Sequence, residues 1–324
     1  MLLPSEAHFG GRGPRPAPSP SRVAPDAMTD AMKENVPANG AERMGSPLES
    51  RDQPFRVFLG YDSHEDIAFQ VAKFSLEKHA SVPVDVQPLK REELRARGVY
   101  RRAQDPKQST EFTYCRFFVP LLAGYQGWAL FADDDFLFLG DVAELLAQAD
   151  DRYAVMCVQH DYTPKSGVKL AGVAQEAYPR KNWSSMILFN CGHPANAALT
   201  AAAANERPGS FLHRFSWLDD ALIGAVDHEW NFLVEWHEPY EGGRKPKAVH
   251  YTQGGPWFPD FRNTDYAEDW MACMREYEAT LAAPRALGPY ERFSKKGNPP
   301  LQGYANSDVP WSWEDEEAGA NERE

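Results

Sequence analysis

Three consecutive carboxylates, Asp133, Asp134 and Asp135, directly follow the apolar stretch Ala129–Ala132 and directly precede the apolar run Phe136–Leu139. At the end of a buried strand such charges repel one another, and burial adds to the cost unless a cation neutralises them. Hard oxygen ligands suit Mg²⁺ or Mn²⁺, ions that take one or two carboxylates and complete their shell with substrate phosphates. Side chains alternate along a strand, so Asp133 and Asp135 are expected on one side and Asp134 on the other. An isolated Asp-x-Asp is most often an exposed acidic turn. The apolar segments on both sides are what point to a metal site.

A second group is Lys247-Ala-Val-His250-Tyr251, followed by Gly254-Gly255-Pro256-Trp257-Phe258. His250 ends a short apolar run, and its imidazole is a suitable third ligand for Mn²⁺. Gly254 and Gly255 would let backbone N–H groups approach a phosphate. A lone histidine among aromatics is more often structural. The pair Asp219 and Asp220 in Trp217–Leu222 says little alone, because acids that open a helix ordinarily cap it.

These residues need elements to hold them. Arg56–Gly60 reads as a strand, and Ser63 and Asp66 have capping-box spacing ahead of a helix that carries Ile67, Val71 and Phe74. Val82, Val84 and Val86 alternate as a second strand. Ala129–Ala132, Phe136–Leu139, Tyr153–Val158 and Met186–Phe189 are further strands; Asp141 and Glu144 open a helix, and 194–204 is Ala-rich and helical. Strands alternating with helices imply an α/β sandwich with a central, mostly parallel sheet, whose ligands sit at the carboxyl ends of the strands.

Composition narrows the function. Of 324 residues, 47 are acidic and 34 basic, a net charge of −13, which argues against nucleic acid as a partner. Cys115, Cys157, Cys191 and Cys273 form no CxxC pair and read as reduced thiols. No apolar run nears the ~20 residues of a membrane span, and the start, broken by Pro4, has no apolar signal core. A cytoplasmic protein with no integral membrane segment is expected. Eight of the 26 prolines precede residue 50, so 1–53 reads as a disordered segment. The folded domain is expected over 54–283, and 284–324 as a C-terminal extension with an acidic tail.

Taken together, the motifs resemble those of family-8 glycosyltransferases. VFLGYDSHEDIAFQVAKFSL resembles the opening strand, loop and helix of that family, and Tyr114-Cys115-Arg116 its YxR segment. ALFADDDFLFLGDVAELL is similar to its DxD strand, LDDALIG to its DQxxLN, Glu229-Trp230-Asn231 to its xWN, and KAVHYTQGGPWF to its closing HxxGxxKPW. Order and spacing agree over about 55–265. The resemblance implies the GT-A fold, a nucleotide-diphospho-sugar transferase sandwich. It implies transfer of a sugar, a hexose of a UDP-hexose donor, to a carbohydrate or glycoconjugate acceptor with retention of configuration.

Carried over by position, Asp133, Asp135 and His250 would bind Mn²⁺ (or Mg²⁺). Gly60, Tyr61, Asp62 and Ser63 would hold the nucleoside, and Asp134 the ribose or sugar. Arg116 would meet donor sugar or phosphate, and Asp219 and Asp220 would lie beneath the donor sugar. The chain departs from the family where Asp220 replaces an amide and where the Lys of KPW is absent, leaving Gly254 and Gly255 backbone, Lys245 or Lys247 to meet the diphosphate. Trp183-Ser184-Ser185-Met186 also replaces NxGV. Trp183, Trp217, Trp230, Trp257 and Trp270 offer faces for sugars, although core packing is the commoner use. Two alternatives stand beside the transferase reading: a non-catalytic nucleotide-sugar-binding protein, and a sugar nucleotidyltransferase, which the acidic loop GYDSHED disfavours.

Overall fold

A computed structural model describes residues 53–103, 108–160, 180 and 182–281. The segments expected as disordered (1–53) and as the acidic extension (284–324) lie outside the described residues, Gln53 apart.

The strands are β1 (Phe55–Gly60), β2 (Val84–Leu89), β3 (Trp128–Ala132), β4 (Phe136–Phe138), β5 (Val155–Cys157), β6 (Met186–Asn190), β7 (Ile223–Ala225), β8 (Phe232–Leu233) and β9 (Ala248–His250). The helices are α1 (Asp66–His79), α2 (Arg91–Ala96), α3 (Val119–Leu122), α4 (Val142–Leu146), α5 (Ala201–Glu206), α6 (Gly209–His213) and α7 (Ala267–Ala279). Six strands form one sheet in the order β2-β1-β3-β6-β5-β7, in which only β6 runs against its neighbours. The architecture is therefore mixed α/β with a central, mostly parallel sheet. Both faces are buried, as the period of two requires. Val57, Leu59, Leu130 and Leu188 face one apolar cluster, whereas Phe58, Phe131, Ile187 and Phe189 face the other.

A second sheet, β4-β9-β8, pairs Phe136 with His250 antiparallel and Leu233 with His250 in parallel. Leu137 and Val249 on its outer side pack with α1 and α7 through Ile67, Val71, Trp270 and Met274. This small sheet carries His250 to the end of β3.

Local expectations differ from the structure in two places. Helix α1 starts at Asp66 without a side-chain cap, so Ser63 and Asp66 form no capping box. Ser63 instead donates its N–H and Oγ–H to Glu111, at 3.1 and 3.2 Å. The Ala-rich stretch is not one helix but a 3₁₀ turn, Pro194–Ala198, followed by α5. Asn196 ties the turn down by donating to Ala154 O (2.7 Å) and Asn190 O (2.8 Å), and Thr200 Oγ1 then caps α5 by accepting from the Ala203 N–H. Asp141 does cap α4, accepting from the Ala143 N–H.

Candidate metal and nucleotide site

The acidic triplet is a turn between the two sheets, at the end of β3. β3 ends at Ala132, although the Asp133 N–H still donates to Ser185 O (2.9 Å). Three residues after Asp133 the chain enters β4 beside β9, and the Tyr251 N–H donates to Asp135 O (3.0 Å). The turn places Asp133 and Asp135 together and sends Asp134 elsewhere, to accept from the Asp62 N–H (3.0 Å). One ligand atom each from Asp133, Asp135 and His250 gather within 4.8 Å of one another.

A chain of hydrogen bonds sets the face that His250 offers. Ser185 Oγ donates to Asn182 O (2.7 Å), so it accepts from Asn231 Nδ2 (2.9 Å). Asn231 Oδ1 is then the atom facing His250 Nδ1 at 2.9 Å, and that nitrogen carries the proton. The Nε2 lone pair is left facing Asp135 Oδ1 at 3.2 Å. Asp133 Oδ1 and Asp135 Oδ1 are both shielded from solvent, the first in an ion pair with Arg116. Two carboxylates and an imidazole oriented by a second shell fit a divalent cation such as Mn²⁺ or Mg²⁺. Phe136 stacks on the His250 ring at 4.3 Å and 16°, fixing its plane.

Buried Arg116 stands beside the turn, its Nη1 2.8 Å from Asp133 Oδ1. That group also donates to Ser184 O (2.6 Å), Arg116 Nε donates to Thr113 O (3.0 Å), and the guanidinium lies 4.8 Å from the Phe131 ring centroid. Burial pushes the Asp133 carboxyl up to about 7 even though Arg116 pulls the other way. Burial, and next the charges of Glu65 and Asp135, push Asp134 well above the usual carboxylate range. Such perturbed acids mark a place where charge awaits compensation. His213 supports this wall through Ser184 Oγ (2.8 Å from its Nδ1), and burial pushes it down to about 3.

The loop expected to hold the nucleoside is held from below by Glu111, which the sequence reading missed. Gly60 ends β1 where a Cβ would lie 2.5 Å from the Phe112 ring. Half-buried Tyr61 packs edge-on against Phe69 (5.3 Å), and its hydroxyl donates to Asp66 (2.9 Å). Asp62 accepts from the His64 N–H (3.0 Å) and the Glu111 N–H (3.1 Å). Glu111 in turn receives both Ser63 bonds and one from Arg91 (3.3 Å). A glutamate in a loop gives no sequence signal of such a clasp.

The segment after His250 departs from expectation. The Gly254 N–H donates to Tyr251 O (2.9 Å), so it is committed to its own turn. Gly254 has φ +131°, and a Cβ on Gly255 would lie 1.9 Å from the Trp257 ring, so aromatic packing alone accounts for both glycines. Lys245 pairs with Asp269 and Lys247 with Glu144. Asp219 makes no side-chain cap, and Asp220, 86% exposed, pairs with Arg180. The structure thus brings together Asp133, Asp135, His250 and Arg116, with Asp134 joined to the Gly60–Ser63 loop. It pairs Asp220 with none of them. Asn231 and Ser185 lay within motifs read from the sequence, but only the fold shows what they orient.

The chain is 50% identical over 230 residues to Protein CDI of Arabidopsis thaliana, covering 70% of this chain and 89% of that protein. It belongs to the same family as Protein CDI. No model of a described protein family matches it. Similar solved structures include the WbbM bifunctional glycosyltransferase in its apo form (17% identity, TM-score 0.49, 69% of this chain and 50% of that one). The glycosyltransferase GlyE of Streptococcus pneumoniae TIGR4 (16%, 0.44, 69% and 60%) and the galactosyltransferase LgtC bound to donor and acceptor sugar analogues (12%, 0.43, 68% and 96%) are others. The chain thus spans half the length of WbbM and 60% of GlyE. Among the described residues, no helix is long and apolar enough to cross a membrane.

Proposed function

We propose that the chain is a metal-dependent glycosyltransferase of GT-A type that moves a hexose from a UDP-hexose to an acceptor hydroxyl with retention. The observation that carries this reading is the meeting of Asp133, Asp135 and His250 at the carboxyl end of β3, with two shielded carboxylate oxygens and an imidazole lone pair converging. In an α/β sheet that is where ligands bind, and the resemblance of the motifs supplies the donor class.

Asp133, Asp135 and His250 would hold Mn²⁺ or Mg²⁺, which when bound supplies Lewis-acid stabilisation of the departing diphosphate. Asn231 keeps the His250 proton on Nδ1, so Nε2 stays a ligand rather than a donor. Arg116 adds fixed positive charge that needs no rearrangement, since Ser184 O, Thr113 O and the Phe131 ring already hold it. Tyr61, Asp62 and Ser63, braced by Glu111, would shape the nucleoside pocket, and Asp134 fixes that loop against the metal turn. In the segment after His250, Thr252 Oγ1 and Trp257 Nε1 are shielded and without hydrogen-bond partners. Asp219 and Asp220 would face the donor sugar. Asp220 stays exposed, available to stabilise an oxocarbenium-like centre or to attack it.

A screen of UDP-sugar hydrolysis with Mn²⁺, with and without chelator, tests the activity. Metal-dependent release of UDP from one sugar supports it. Tight UDP binding without turnover on any sugar would favour the non-catalytic binding protein.

A further inference from the structure

Asp220 stands where the resemblance to family-8 glycosyltransferases places an amide. The exchange has two consequences. A carboxylate brings a full negative charge toward a donor whose diphosphate is already anionic. It also accepts hydrogen bonds without donating any, whereas an amide does both. The fold meets both with a residue that the sequence reading did not consider. Arg180 Nη2 donates to Asp220 Oδ1, and the Asp220 side chain remains 86% exposed, so the pairing does not bury it.

An exposed ion pair is ordinarily worth little, because two side chains must be ordered to make it. Here one of the two is ordered beforehand. The Arg180 side chain is only 17% exposed. Its Nη1 donates to Arg214 O at the end of α6, and its guanidinium carbon lies 5.4 Å from the Trp183 ring centroid. The indole is held in turn, because Trp183 Nε1 donates to His160 O (3.2 Å) and the Trp183 N–H to Arg180 O (3.3 Å). Arg180 (φ +67°) and Asn182 (φ +63°) both adopt the left-handed conformation, which residues other than glycine keep only where their surroundings hold it.

The residues that follow Arg180 reach the metal turn. Asn182 O accepts from the Ser185 N–H (3.3 Å) and from Ser185 Oγ (2.7 Å). Ser185 O then accepts from the Asp133 N–H, Ser184 O from Arg116, and Ser185 Oγ from the Asn231 amide that faces His250. One short stretch of chain therefore braces the metal ligands at one end and carries at the other the guanidinium that holds Asp220. A guanidinium bonded to one oxygen of a carboxylate offers what an amide offers: no net charge, and N–H donors beside an acceptor.

We propose that Arg180 is a positioning residue for Asp220, and that the Arg180–Asp220 pair takes the place of the amide beneath the donor sugar. This rests on the transferase reading and specifies how this chain equips that part of the site.

The test combines calorimetry of UDP–Mn²⁺ binding with the kinetics of UDP release from UDP-glucose, UDP-galactose and UDP-N-acetylglucosamine. It uses the wild type, Arg180→Gln, Arg180→Lys, Asp220→Asn and the double variant Arg180→Gln/Asp220→Asn. Every variant should bind UDP–Mn²⁺ within about twofold of the wild type. Arg180→Gln should lower kcat about tenfold or more, toward the ~10²-fold that a misplaced group costs, with KM little changed. Arg180→Lys, which keeps the charge, should restore part of the loss. In the Asp220→Asn background, Arg180→Gln should change kcat by less than about twofold, because its partner is gone. A merely structural arginine would lower the unfolding midpoint and cost the same kcat in both backgrounds. Should Arg180→Gln unfold early, Arg180→Met keeps a long stem against Trp183 and repeats the comparison. Unchanged kcat without the arginine, or equal losses in both backgrounds, would overturn the proposal and leave the transferase reading standing. A wild type that releases UDP from none of the three sugars would remove the hexosyltransferase reading and this proposal with it.

Discussion

Two acidic pairs in this chain look alike in sequence and are treated oppositely by the fold. Asp133 and Asp135 lie in a turn clamped by two sheets, with shielded oxygens, a facing imidazole and a carboxyl pushed up to about 7 by burial. Asp219 and Asp220 open a 3₁₀ turn at the surface, and Asp220 answers Arg180 in solvent. The first pair stores charge that only a cation or a proton relieves. The second is exposed to solvent. The surroundings thus separate a shielded pair from a solvent-exposed one.

Substitutions can break that contrast. Asp133→Ala should abolish metal-dependent turnover and reduce Mn²⁺-dependent UDP affinity by more than about 100-fold, beyond the 10–100-fold of second-shell changes, read by calorimetry. Asp220→Asn should lower kcat by on the order of 10²-fold yet leave UDP–Mn²⁺ affinity nearly unchanged; a matching loss of affinity would erase the distinction between the pairs. Asn231→Ala frees the His250 proton to sit on Nε2, so Mn²⁺ affinity should fall about 10–100-fold, and Asn231→Asp should restore part of it.

Two further changes sharpen the picture of the scaffold. Gly60→Ala drives a methyl into the Phe112 ring beneath the nucleoside loop. It should lower stability by about 1–3 kcal/mol, seen in the denaturation midpoint. His213 has a folded pKa pushed down to about 3 by burial, below its unfolded value near 6.5. Its contribution is therefore fully present above about 6.5 and is lost as pH falls toward 3. Relative to His213→Gln, the wild type should lose about 1.4 kcal/mol per pH unit across that window; parallel stability–pH curves would contradict the assignment.

The central sheet was legible because β1, β3 and β6 are short apolar runs with both faces buried, and β-rich composition identifies such runs directly. The meeting of Asp133 and Asp135 was legible because three carboxylates between two apolar strands have few inexpensive explanations. What escaped was set by distant contacts. The Ser63–Glu111 bond spans 48 residues and displaced a locally plausible capping box. Asn196 reaches back to Ala154 and splits a stretch whose alanines favour one helix. Gly254 and Gly255 carried a phosphate-loop reading, yet Phe261 and Trp257 account for them.

The most direct test is calorimetry of UDP binding with and without Mn²⁺, on the wild type and on Asp135→Ala. The account predicts binding that requires Mn²⁺, disappears with chelator, and is lost in Asp135→Ala while the variant's thermal unfolding remains cooperative. UDP binding of equal strength without metal, or undiminished in Asp135→Ala, would contradict the assignment of the Asp133–Asp135–His250 corner as the nucleotide's metal site.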